Sequence, residues 1–148
     1  MADNVNRLLI VEDEPEVAEF VAAVASRLGF SIASTGGAEF AQLVDSFRPT
    51  LILLDLHLPD TDGVELLRKL VDRGSKAHVL LTSGVDERVL SAAYDLGASR
   101  GLAMCGTLAK PVMPADLQNK LAAVMHRDRE LDVADLKGGL AAGGVVAY

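Results

Sequence analysis

In this 148-residue chain, four apolar stretches run into residues able to do ionic chemistry. Leu8-Leu9-Ile10-Val11 leads into Glu12-Asp13, and Leu51-Ile52-Leu53-Leu54 into Asp55. Val79-Leu80-Leu81 leads into Thr82-Ser83, and the stretch reaching Leu108 into Lys110. Three carboxylates held within a few ångströms repel and raise one another's pKa unless a cation joins them. Lys110 brings one positive charge; a divalent metal brings two. Mg²⁺ takes oxygen ligands in an octahedron and keeps several waters, so a few carboxylates and a backbone carbonyl suit it and leave room for phosphoryl oxygens. Positioning and charge neutralisation are most of what phosphoryl transfer needs. A carboxylate can itself be the nucleophile, forming an acyl phosphate. Asp55, at the end of the central apolar run, is the candidate.

That chemistry exists only if the fold brings the four segments together. Continuous apolar runs of strand length, separated by segments of helical period, are the pattern of a parallel sheet covered on both faces. The sequence predicts strands at 8–11, 31–34, 51–54 and 79–81, and a fifth within 102–108. The first helix starts at Pro15, carries Val17, Phe20, Val21, Val24 and Leu28, and stops at Gly29. Phe40, Leu43, Val44 and Phe47 mark a second helix. Val64, Leu66, Leu67, Leu70 and Val71 mark a third, opening at Asp62-Gly63. A fourth is expected over 85–96, with Thr82-Ser83-Gly84 as its N-cap, and a fifth carries Leu117, Leu121 and Val124. The apolar stripe of the fourth helix (Val85, Val89, Leu90, Ala93) is read as mostly core, and residues 127–130 as a solvated helix end or linker. Five such units make an α/β, doubly wound domain, in which ligands bind outside the carboxyl ends of the strands. The polar residues fall at that rim.

Composition narrows the function. Half the residues are apolar, enough for a core at this length, while 14 Lys+Arg against 21 Asp+Glu give a net charge of −7. That balance disfavours direct contact with nucleic acid or an anionic membrane surface. The single cysteine, Cys105, has no internal disulfide partner and reads as a buried small hydrophobe. His57, His78 and His126 show no metal-ligand spacing and read as structural or surface residues. The apolar runs are too short to span a bilayer, and the first residues lack a signal-peptide pattern. A reducing, cytoplasmic location is expected.

Segments 8–15 (LLIVEDEP), 51–63 (LILLDLHLPDTDG), 81–84 (LTSG) and 109–111 (AKP) resemble, in order, the marker segments of response-regulator receiver domains. Each is weak alone; four in sequence are specific. The resemblance implies a flavodoxin-like fold with strand order 2-1-3-4-5, over about residues 1–127, and Mg²⁺-dependent transfer of a phosphoryl group from a histidine kinase or phosphotransfer protein. Position by position, it implies Asp55 as phosphoacceptor, Asp13 as a direct metal ligand, Glu12 as a ligand through water, and the His57 carbonyl as a backbone ligand. Lys110 matches the lysine that pairs with the phosphoryl group, followed by a cis bond to Pro111. The switch hydroxyl is Ser83 or Thr82, with Ser83 preferred because small Gly84 follows it. The fourth helix and fifth strand are the expected surface for an output domain or partner protein, and a homodimer is compatible with it.

Two departures from the pattern stand out. Thr107 occupies the position, three before the lysine, where such domains often carry an aromatic, and 97–109 (GASRGLAMCGTLA) is longer than usual. These features, with the tail 133–148 (VADLKGGLAAGGVVAY), are similar to receivers fused to EAL-type cyclic-di-GMP phosphodiesterase domains. Residues 128–148 are thus expected to be a linker or the start of such an output domain, and this portion itself a self-dephosphorylating switch, not a metabolic enzyme. Three alternatives compete. A HAD-type phosphohydrolase needs a second aspartate where His57 stands. A dinucleotide-binding module needs glycines where Glu12-Asp13 stand. A receiver that takes no phosphate, serving as a dimerisation scaffold, would not need the acid pair, Asp55 and Lys110 together.

Overall fold

A computed structural model describes residues 6–84 and 86–137, with side chains as far as Met125. Five strands and five helices alternate: β1 (Arg7–Val11), α1 (Pro15–Leu28), β2 (Ser31–Thr35), α2 (Phe40–Phe47), β3 (Leu51–Asp55), α3 (Gly63–Asp72), β4 (His78–Ser83), α4 (Glu87–Ser99), β5 (Ala103–Ala109) and α5 (Pro114–Lys137). The strands form one parallel sheet in the order β2-β1-β3-β4-β5, as the resemblance implies.

The continuous apolar runs are explained by the two-residue period of a strand, which sends neighbours to opposite faces. Leu8, Ile10, Leu51, Leu53 and Leu80 pack with Val21 and Ala25 of α1 and Leu117, Leu121 and Val124 of α5. Leu9, Val11, Ile52, Leu54, Val79 and Leu81 pack on the other face, with Phe40 of α2, Leu66, Leu67 and Leu70 of α3, and Leu90 and Ala93 of α4. Pro15 opens α1, and Gly29, with φ 104°, closes it by donating to the carbonyls at its end. Asp62 caps α3 by accepting from the Val64 amide.

Several boundaries differ from expectation. Residues Thr82 and Ser83 complete β4 and do not cap α4; Asp86 does, accepting from the Arg88 amide at 2.8 Å. Strand hydrogen bonding took those residues because Leu56 and Lys110 donate their amides to the carbonyls of Thr82 and Ser83. Helix α4 therefore starts at Glu87; Val85, placed on its apolar stripe, lies outside the described residues. On that stripe Leu90 and Ala93 are core, but Val89 is 49% exposed. Segment 97–109 is absorbed by the end of α4, a turn at Gly101, and a bulge in β5. Val79 pairs with Met104 but Leu80 with Gly106, leaving Cys105 as the extra residue. Cys105 is accordingly half-buried, its Sγ 3.4 Å from the Val79 carbonyl. The backbone of α5 stays helical through Lys137, so 127–130 is not a helix end. The His126 side chain and residues 138–148 lie outside what is described.

Candidate metal and phosphoryl-transfer site

β1 and β3 are neighbours at the centre of the sheet, so their carboxyl ends deliver Glu12 and Asp55 side by side. Both are buried, at 5% and 1% exposure, whereas Asp13, one residue further into the loop, is exposed. Ligand oxygens of Glu12, Asp13 and Asp55 all lie within 4.8 Å of one another. Lys110 crosses from the end of β5 to meet them. Its Nζ stands 2.9 Å from Glu12 Oε1, 3.1 Å from Asp55 Oδ2 and 3.4 Å from Glu14 Oε1. The other Asp55 oxygen, Oδ1, accepts the His57 amide at 2.9 Å, and Glu12 Oε2 accepts the Glu14 amide at 3.1 Å. Asp13, Asp55, His57, Pro59, Gly84 and Lys110 line a recess of about 380 Å³ at this rim.

Two glycine positions matter to this geometry. At Gly63 a Cβ would stand 2.5 Å from Leu56 Cα and 2.8 Å from the Asp55 carbonyl, so the start of α3 lies against the end of β3 only because no side chain intervenes. Gly84 follows Ser83, and a Cβ there would be in ordinary contact, 3.8 Å, with Lys110 Cβ.

Burial raises the Glu12 carboxyl above its ordinary value of 4.5, more strongly than the hydrogen bonds from Lys110 and the Glu14 amide lower it. For Lys110 the balance is reversed. Burial disfavours the ammonium, but hydrogen bonds to Glu12 and Asp55 outweigh it and push the pKa up. Lys110 is therefore a permanent cation between two carboxylates. That single ammonium is set against three clustered carboxylates, with Glu14 a fourth beside it, so the site is short of positive charge. The donors are all hard oxygens, with water access through Asp13, so the set fits Mg²⁺.

Of the residues singled out from sequence, Glu12, Asp13, Asp55, His57 and Lys110 meet at this site. Ser83 and Thr82 are both buried at the end of β4: Thr82 is paired across the sheet with Asp55, and Ser83 with Ala109. The Thr82 hydroxyl has no hydrogen-bond partner among the described residues. The Lys110–Pro111 bond is cis. Sequence reading missed Glu14 as a third carboxylate on Lys110; its only signal was the acidic run 12–14, equally explained by the helix dipole.

A doubly wound parallel sheet with an acid cluster and one lysine at its carboxyl rim defines the class: an α/β domain with its polar site at the strand ends. The chain belongs to the response-regulator receiver domain family, whose description matches residues 8–122. It is 31% identical over 141 residues to the positive alginate biosynthesis regulatory protein of Pseudomonas aeruginosa, covering 93% of this chain and 54% of that protein. It is 31% identical over 131 residues to the transcriptional regulatory protein GltR of the same species, covering 86% and 52%. The chain thus spans about half the length of the curated relatives it matches. Among solved structures, a response regulator from Colwellia psychrerythraea superposes with a TM-score of 0.70 at 30% identity, covering 83% of this chain and 98% of that one. The signal receiver domain of a putative Luxo repressor protein from Vibrio parahaemolyticus superposes with a TM-score of 0.72 at 22% identity, covering 88% and 97%, a likeness of fold.

Proposed function

We propose that Asp55 is the phosphoacceptor of a two-component relay, taking its phosphoryl group from a histidine kinase or phosphotransfer protein. One observation carries this reading: Asp55 is the buried carboxylate whose oxygens are divided between the His57 amide and Lys110, beside two further acids. Mg²⁺ would be held by the carboxylates of Asp13 and Asp55, the His57 carbonyl and, through water, Glu12. When bound it would neutralise the acid cluster and the charge on the transferring group.

The chain's own residues do the rest. An Asp55 oxygen attacks phosphorus as the phosphorus–nitrogen bond of the donor phosphohistidine breaks; the electron pair stays on the imidazole nitrogen, and Asp55 becomes an acyl phosphate. Lys110 is already within hydrogen-bond reach of Asp55 and is placed to donate to a phosphoryl oxygen. Ser83, the last residue of β4 before Gly84 at the recess, is assigned as the switch hydroxyl that draws its loop toward the phosphoryl group, with Thr82 as the competing assignment. That movement would bias the arrangement of α4 and β5, the surface offered to an output domain, a partner protein or a second copy. Later hydrolysis of the acyl phosphate by water would reset the switch. We further assign residues 128–148, the first of which continue α5 to Lys137, to a linker or the start of an EAL-type output domain. The intact acid cluster and lysine favour this reading over a scaffold that takes no phosphate.

The test is covalent labelling with acetyl phosphate in the presence of Mg²⁺. Wild type should gain one phosphoryl group by intact mass and Asp55→Asn none; undiminished incorporation by that variant would overturn the assignment.

A further inference from the structure

The end of the sheet opposite the acid cluster gathers positive charge. Arg7 opens β1 and His78 opens β4; Arg48 and Arg73 are the C-caps of α2 and α3; Lys76 lies between α3 and β4. With Asp45 these residues line a recess of about 500 Å³, to which Val44, Pro49 and Ala77 add apolar surface. Four of the chain's 14 Lys and Arg therefore meet around one carboxylate, in a chain whose net charge is −7. Electrostatic screening leaves these near charges dominant, since the Debye length at physiological salt is only about 8 Å.

Not all of that charge is spent internally. Arg73 pairs with Asp45, Nε to Oδ1 at 3.1 Å, and Arg7 donates Nε to the Arg48 carbonyl at 2.7 Å. Arg48 and Lys76 are exposed and form no ion pair among the described residues. Arg48 is also the only non-glycine residue with positive φ among the described residues, at 54°. That conformation is unfavourable for an L-residue, and glycine is its ordinary occupant after a helix. The strain thus falls where a guanidinium is presented. Attraction of cations to helix C-termini accounts for Arg7 and Arg48 at the end of α2 and Arg73 at the end of α3; it does not account for Lys76.

We propose that this recess binds a phosphate-bearing small molecule of nucleotide size, with Arg48 and Lys76 holding its phosphates. A guanidinium fork matches phosphate oxygens and an ammonium adds a point charge. The volume lies in the range of small-molecule sites, and Val44, Pro49 and Ala77 supply surface for the uncharged part. The site is independent of Asp55, being at the amino ends of the strands that carry the acid cluster at their carboxyl ends.

The test is titration of the full chain with pyrophosphate and with ADP, separately, by NMR at low salt with EDTA present. Wild type, Asp55→Asn and the double variant R48G/K76Q are compared; glycine at 48 removes the charge and relieves the backbone, so folding is preserved. Saturable shifts at Thr50, Ser75 and Ala77 are expected, equal in wild type and Asp55→Asn, and weakened roughly tenfold or more in R48G/K76Q, about 1.4 kcal/mol or more. ADP should bind more tightly than pyrophosphate. Absent saturation, or unchanged affinity in R48G/K76Q, overturns the site. Equal affinity for the two probes overturns the nucleotide assignment, and tighter binding of a single-stranded oligonucleotide than of ADP assigns the face to nucleic acid instead.

Discussion

At the scale of the residue, the site turns on one ammonium among carboxylates. Lys110 holds Glu12 and Asp55 together at 2.9 and 3.1 Å, and Glu12 answers burial differently from the lysine. For Lys110, whose pKa is raised on folding, the stabilising contribution is complete below its ordinary value of 10.5 and is lost as pH rises through the higher folded value. For Glu12, also raised, the folded state binds the proton more tightly than the unfolded chain, so stability falls as pH rises from 4.5 through the folded value. Urea unfolding in EDTA across pH should therefore show a decline just above pH 4.5 that Glu12→Gln removes. An unaltered profile in that variant would place the effect on another group. Glu12, Asp55 and Lys110 could be read from sequence because each follows an apolar run. Glu14 could not, because an acid in the first turn of a helix has an equally good local reason to be there.

At the scale of the element, the site depends on how two strand ends are held. The contact of α3 with the end of β3 leaves no room at Gly63, where a Cβ would meet Leu56 and the Asp55 carbonyl. Gly63→Ala is expected to cost about 1–3 kcal/mol, as other forced fits in packed regions do, and to slow acetyl phosphate labelling by displacing the segment that carries His57. Chemical denaturation and labelling rate check the two effects; labelling at the wild-type rate would detach that contact from the site. At β4, Ser83→Ala should still accept phosphate but lose the amide shifts of α4 and β5 that follow beryllofluoride addition. If Thr82→Ala alone loses them, the unpartnered Thr82 hydroxyl is the switch. Strand and helix identities were legible because their apolar periods are strong; the end of β4 was not. Thr-Ser-Gly before a helical pattern reads as a cap, and only the pairing of β4 with β3 and β5 assigns its hydroxyls to the sheet. The β5 bulge was equally invisible, since an extra residue in a pair of strands leaves the apolar pattern almost unchanged.

At the scale of the whole molecule, charge is polarised along the strands, acids at the carboxyl rim and the Arg48–Lys76 recess at the amino edge. The acidic end was legible because its residues sit in short motifs. The basic end was not, because its residues are scattered from position 7 to 78 and only the sheet unites them. A divalent cation held among these acids would add to the domain's stability. A ligand that binds only the folded state stabilises it by about 2.7 kcal/mol at a hundred times its dissociation constant. For a domain of this size each kcal/mol moves the melting temperature by roughly 2–4 °C. Saturating Mg²⁺ should thus raise the melting temperature by roughly 5–10 °C over EDTA, by the same two relations. Asp13→Asn should lose most of that gain. Its own melting temperature in EDTA should equal or exceed wild type, because one of three mutually repelling carboxylates is gone. Calorimetry of both proteins with and without Mg²⁺ separates these effects. A full Mg²⁺ response in Asp13→Asn would move the cation away from the cluster at the ends of β1 and β3.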